Sequence, residues 1–180
     1  MTFFKTLIAA ALAVTFATGS MAASKENTLI LETKNGKIEI ELLPDVAPNH
    51  VKQVSELANE GFYDNVKFHR VIEGFMAQTG DPTGTGRGGS KRPDLKQEFS
   101  NTLKFERGVV GMARSQNVNS ANSQFFIMFA EAAGLNNKYT IFGKVTKGMD
   151  VVDKIKKGSP PNGSVTDPDV IVKMRTADKL

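Results

Sequence analysis

Near its start the chain settles into a two-residue rhythm that a half-buried β-strand satisfies. In Lys37-Ile-Glu-Ile-Glu-Leu42, the apolar Ile38, Ile40 and Leu42 alternate with Lys37, Glu39 and Glu41, so one face is wet and the other buried. A second such run, residues 28–33, lies just upstream across Lys34-Asn35-Gly36. Asn-Gly supplies the positive φ angles of a tight hairpin turn. Further short strand runs follow at residues 66–72, 75–79, 108–113, 124–130, 139–146 and 169–175.

Two segments break this rhythm. Residues 48–60 begin with Pro48, place Val51, Val54, Leu57 and Ala58 on one helical stripe, and end before Gly61, a natural left-handed cap. Residues 149–156 form a shorter helix with Val151, Val152 and Ile155 inward. Residues 80–107 are rich in Gly, Pro and charge and read as a long functional loop. About eight short strands and two helices predict a mainly β, antiparallel barrel or sandwich.

Residues 1–22 stand outside that pattern. A positive start reaches Lys5, an apolar run of 12 residues covers 6–17, and Ser20-Met21-Ala22 places small residues at a cleavage site. This is the layout of a cleaved secretory signal peptide. The apolar run falls short of the roughly 20 residues that span a bilayer, and no other run approaches that length. The expectation is a single domain over residues 23–180, exported to the periplasm and free of the membrane after cleavage.

The inventory of reactive groups is sparse. There is no Cys, which removes thiolate nucleophiles, disulfides, Cys-type zinc sites and iron–sulfur clusters. Two histidines, His50 and His69, leave little for a metal site, and no cofactor or metal is expected. The formal charge is +4, with bases and acids interleaved along the chain, which argues against a nucleic-acid partner. Gly84-Thr-Gly86-Arg-Gly-Gly89 matches a dinucleotide-loop pattern. However, no strand precedes it and Pro93 opposes the helix that should follow. Its glycines read better as sharp turns close to a ligand.

His69 lacks the partners of a catalytic triad and reads as structural. Arg70 shares a strand face with Phe68 and Ile72 in the alternating pattern. An arginine among apolar neighbours either pairs with an acid or borders an apolar pocket that faces a ligand, and periodicity leaves both open. Met76 and Gln78 share a face, as do Gln124 and Phe126. Such pairs are core packing with satisfied amides, or the wall of a shallow groove with a few aimed polar groups.

Longer blocks carry a resemblance. Phe68-His-Arg-Val-Ile-Glu-Gly-Phe-Met-Ala-Gln-Thr-Gly-Asp81 closely resembles the signature of the cyclophilin family of peptidyl-prolyl cis-trans isomerases. Asn122-Ser-Gln-Phe-Phe-Ile127 resembles the family's second block. Phe142-Gly-Lys-Val145 followed by Gly148-Met-Asp-Val-Val152 resembles the third. The blocks occur in the family's order and, with the hairpin and first helix, span about residues 28–175. The compact exported form looks like the bacterial periplasmic branch.

The resemblance implies a closed eight-stranded antiparallel β-barrel capped by two α-helices, with a groove on its outer wall. It implies an isomerase that accelerates X-Pro exchange in exported, proline-containing polypeptides and assists their folding. Arg70 matches the catalytic arginine. Phe75, Met76, Phe126 and Leu135 match the proline pocket, and Gln78 and Gln124 the groove amides. Ala113 and Arg114 match the stretch whose backbone binds the substrate chain, and Gly84 a glycine near the residue before proline. Nothing requires an oligomer, so a monomer is expected. The alternative is a proline-peptide-binding or chaperone module with little catalysis.

Three positions depart from the family pattern. Gly134 stands where a Trp often precedes the leucine, Tyr139 replaces a histidine, and Arg114-Ser115 replaces Asn-Ala. Losing Trp removes an indole N–H donor. In the family that donor contacts the drug cyclosporin, so weak cyclosporin binding is expected.

Overall fold

The computed structural model describes residues 24–180, so the expected signal segment lies outside the described residues. Eight strands form one antiparallel sheet: β1 (Thr28–Thr33), β2 (Gly36–Leu42), β3 (Arg70–Ile72), β4 (Met76–Thr79), β5 (Val109–Met112), β6 (Phe125–Met128), β7 (Ile141–Lys147) and β8 (Lys173–Thr176). Their spatial order is β3-β4-β6-β5-β7-β2-β1-β8. Two α-helices, α1 (Pro48–Asn59) and α2 (Met149–Asp153), accompany the sheet.

The first hairpin forms as its alternation demands, with Ile38, Ile40 and Leu42 buried and Leu31 paired to Ile38. Its turn differs from the expected one. Lys34 and Asn35 make the loop, and only Gly36 takes a positive φ, of 135°. The Thr33 hydroxyl accepts the Asn35 N–H at 3.1 Å and donates to the Gly36 carbonyl at 3.2 Å, which shifts the reversal one residue upstream. Helix α1 keeps its predicted stripe and also buries His50 and Gln53.

The sheet curls strongly, and one face wraps an inner core that includes Leu29, Ile40, Phe68, Phe125, Phe142 and Met174. The expected closed barrel is instead a half-barrel, because β3 and β8 do not pair as a ladder. The segments ahead of them meet through separate bonds and an isolated bridge between Lys67 and Val170, not a ladder of paired strands. Among these bonds, the N–H of Phe68 donates to the Asp169 carbonyl and the N–H of Ile171 to the Val66 carbonyl, both at 2.9 Å, and the N–H of Asn65 to the Ile171 carbonyl at 2.7 Å. The segment that would close the ladder contains Pro168, which has no N–H to donate, and Asp167 at φ 49°. The same break shortens the strand expected over residues 66–72. Phe68 turns into the inner core with Val71, while Arg70 and Ile72 stay on the outer face, so Phe68 and Arg70 do not share a face.

Candidate active site

Strand register assembles the outer face. Arg70 on β3 stands opposite Gln78 on β4, Gln78 opposite Phe126 on β6, and Phe126 opposite Gly111 on β5. In the neighbouring row Ile72 faces Met76, and Met76 faces Met128. Residues two apart on a strand share a face, so one arginine and one amide are set among apolar side chains. Phe126 lies flat enough to stack on Phe105, with centroids 5.7 Å apart, only because position 111 is glycine. A Cβ there would come within 2.8 Å of the Phe126 ring and 2.6 Å of Phe105. Tyr139 meets Phe126 edge-on at 5.8 Å, and the Arg114 guanidinium covers the Tyr139 ring at 4.6 Å.

These side chains border a cavity of about 220 Å³. Arg70, Met76, Gln78 and Phe126 line it from the strands. Phe75, Leu135, Tyr139 and the Ala113-Arg114 step line it from the connections. Arg70 forms no salt bridge among the described residues and borders this cavity beside Met76 and Phe126. Its Nε donates to the Asn162 carbonyl at 2.9 Å and its Nη1 to Oε1 of Gln78 at 3.2 Å.

A polar relay extends from there. Gln78 Nε2 donates to Oε1 of Gln124 at 2.9 Å, and Gln124 Nε2 donates to the carbonyls of Gly88 at 2.8 Å and Gly86 at 3.1 Å. The carbonyl partners fix which way the Gln124 amide points. That in turn fixes the Gln78 amide so that its oxygen faces Arg70. The loop holding Gly86 and Gly88 is gathered around the buried Asp81 carboxylate, which accepts their N–H groups at 2.6 and 3.1 Å and that of Thr83 at 2.8 Å. Burial pushes the Asp81 carboxyl up, but the Thr83 hydroxyl and these N–H donors outweigh it and hold the group at about 2.

His69 takes no part in this relay. Neither of its ring nitrogens has a partner, and burial, partly offset by Asp81, lowers its pKa, which fits a packed, uncharged ring. Ala113 donates its N–H to the Gln124 carbonyl at 2.9 Å, while its own carbonyl has no backbone partner among the described residues. Gly84 stands apart from the groove. Its N–H bonds the Asp81 carbonyl at 3.1 Å, and this turn points it toward the Lys67 side chain instead.

A second cavity, of about 580 Å³, adjoins the first through Gln78, Ala113 and Arg114. Gln124 lines it, together with Arg87 and Asn122, which the sequence did not single out. The available signal was Asp81 followed at short range by Thr83, Thr85, Gly86 and Gly88, the composition of a loop wrapped around a carboxylate.

Comparison with known proteins agrees with this geometry. The sequence model described as cyclophilin type peptidyl-prolyl cis-trans isomerase/CLD matches residues 28–176. A "Probable peptidyl-prolyl cis-trans isomerase" from Brucella suis is 53% identical over 189 residues, covering 96% of each chain. A solved cyclophilin, AquaCyp293 from Hirschia baltica, superposes with a TM-score of 0.78 at 29% identity, covering 88% of this chain and 76% of its own. A Cryptosporidium parvum cyclophilin type isomerase solved in the presence of the dipeptide Ala-Pro gives 0.75 at 31% identity, covering 83% and 98%. The family pattern thus runs through nearly the whole described chain, and the chain belongs to the cyclophilin type peptidyl-prolyl cis-trans isomerases.

Proposed function

We propose that this isomerase acts on X-Pro bonds of exported polypeptides in the periplasm, with the proline ring in the cavity beside Arg70. The observation that carries the reading is the setting of Arg70: its Nε and Nη1 are held by Asn162 and Gln78, and Nη2 has no partner among the described residues. The export signal in residues 1–22 supports the periplasmic location and a role in assisting folding there.

Rotation about a prolyl amide is opposed by resonance, a barrier of about 18–20 kcal/mol, and proceeds unaided in tens to hundreds of seconds. Twisting the amide localises the lone pair on the prolyl nitrogen. A guanidinium is a permanent donor that can meet that lone pair, and it does so more strongly where Phe126, Met76 and Leu135 exclude water. Such stabilisation acts on the twisted form and not on the planar one, so it lowers the barrier. A reduction of about 6 kcal/mol accelerates exchange on the order of 10⁴- to 10⁵-fold. The unpaired Ala113 carbonyl supports a further role: it can accept from the backbone of an extended substrate. A protease-coupled assay on a proline tetrapeptide tests the reading. Rapid catalysed exchange supports it, and peptide binding without exchange would make this chain a binding module instead.

A further inference from the structure

The larger cavity beside the proline site has a cationic wall. Arg87 is exposed, and its side chain has no hydrogen-bond or ion-pair partner among the described residues. The loop that presents it is fixed on both sides, since the N–H groups of Gly86 and Gly88 donate to the Asp81 carboxylate. Arg114 is pinned as well: Nε and Nη2 donate to the Lys138 carbonyl at 3.1 and 2.7 Å, and Nη1 to the Ser115 carbonyl at 2.8 Å. Those partners are neutral, so the Arg114 charge stays uncompensated. Asp94 is the single acid among the lining residues, and its partner Asn122 Nδ2 at 3.0 Å is neutral too, so the wall carries two positive charges against one negative.

Gln78, Ala113 and Arg114 belong to both cavities, so a peptide whose proline sits beside Arg70 lays its flanking residues over the larger one. We infer that this second cavity selects acidic side chains in the peptide flanking the isomerising proline. Arg87 is the specificity-determining residue and Arg114 a fixed second cation. The inference rests on the cavity beside Arg70 being the proline site. Two arginines on preorganised backbone favour a carboxylate and repel an ammonium, so selectivity against Lys exceeds what one exposed pair supplies.

The test uses proline peptides carrying Glu, Gln or Lys two residues before or two residues after proline, with wild type and Arg87→Gln. On one of the two flanks Glu should exceed Lys in kcat/KM by about three- to tenfold. That ratio should fall toward one in Arg87→Gln, and also near 1 M salt, where charges are screened beyond about 3 Å. Equal rates for Glu and Lys on both flanks, a preference for Lys, or a Glu preference that survives Arg87→Gln overturns the inference while leaving the isomerase site standing. Failure of wild type to turn over any of the peptides overturns the proline-site assignment, and this inference with it.

Discussion

Arg70 and Gln78 are cross-strand neighbours on β3 and β4, and the arginine Nη1 donates to the glutamine Oε1 at 3.2 Å. The contact ties a cation to a relay whose far end is a loop closed around Asp81. It also makes Gln78 the residue through which the loop orients the guanidinium. Gln78→Leu keeps the bulk and removes the acceptor. A hydrogen bond to a charged group contributes about 1.5–3 kcal/mol, so kcat/KM should drop about tenfold or more, mainly in kcat. A coupled proline-peptide assay reads this directly, and an unchanged kcat would separate the relay from catalysis.

Asp81 carries an acid-dependent share of the stability. Its carboxyl sits at about 2 in the fold against 3.8 ordinarily. A depressed folded value means the contribution is fully present above about pH 4 and is lost as pH falls toward 2. The shift corresponds to about 2 kcal/mol. Asp81→Asn should therefore be less stable than wild type by about that amount at neutral pH, with the gap narrowing as pH approaches 2. Urea titrations at both ends of that window give the gap, and one that stays constant would contradict the assignment.

Helix α1 is capped from a distance. Its N-cap residue, Ala47, has no side-chain acceptor, and Glu98 serves instead. Glu98 Oε1 accepts the Asn49 N–H at 3.2 Å, and Oε2 accepts the His50 N–H at 3.2 Å and lies 2.6 Å from His50 Nδ1. Removing Glu98 strands two backbone N–H groups and the Nδ1 of a buried imidazole whose Nε2 already lacks a partner. Glu98→Ala should cost about 1–3 kcal/mol and lower Tm by several degrees. A thermal melt that shifts by less than a degree would show the cap to be dispensable.

Cyclosporin sensitivity should be weak and recoverable. Gly134 is exposed, and a Cβ built there meets nothing within 4 Å, so a side chain at this position starts out into open space. Wild-type turnover should persist at cyclosporin concentrations that inhibit Gly134→Trp, where an indole N–H donor is supplied at the groove rim. Equal inhibition of both proteins would show that the missing Trp is irrelevant.

Much of this architecture was written locally. The hairpin, the eight strands, both helices and the apolar stripe of α1 follow from two- and four-residue periodicities, which depend on neighbours in the chain. Alternation put Met76 with Gln78 and Gln124 with Phe126 on strand faces but left core and groove open, and it was the resemblance of the longer blocks that implied a groove holding Arg70, Met76, Gln78 and Phe126. Other features depend on distant partners. His50 is buried because Glu98 reaches it from 48 residues away. The sheet stays a half-barrel because the segment around Pro168 cannot complete the ladder. Gly84 falls outside the groove, and Arg87 on the second cavity, because Asp81 decides how its loop folds, and no periodicity encodes that.

The decisive measurement is kcat/KM for Arg70→Ala and Arg70→Lys in the proline-peptide assay, with circular dichroism confirming the fold. Arg70→Ala should lose activity on the order of 10²- to 10³-fold. Lys should not restore it, because a point charge on a flexible stem lacks the planar fork that Asn162 and Gln78 hold. An Arg70→Ala protein that is folded and isomerises the peptide at close to the wild-type rate would contradict the role given to Arg70.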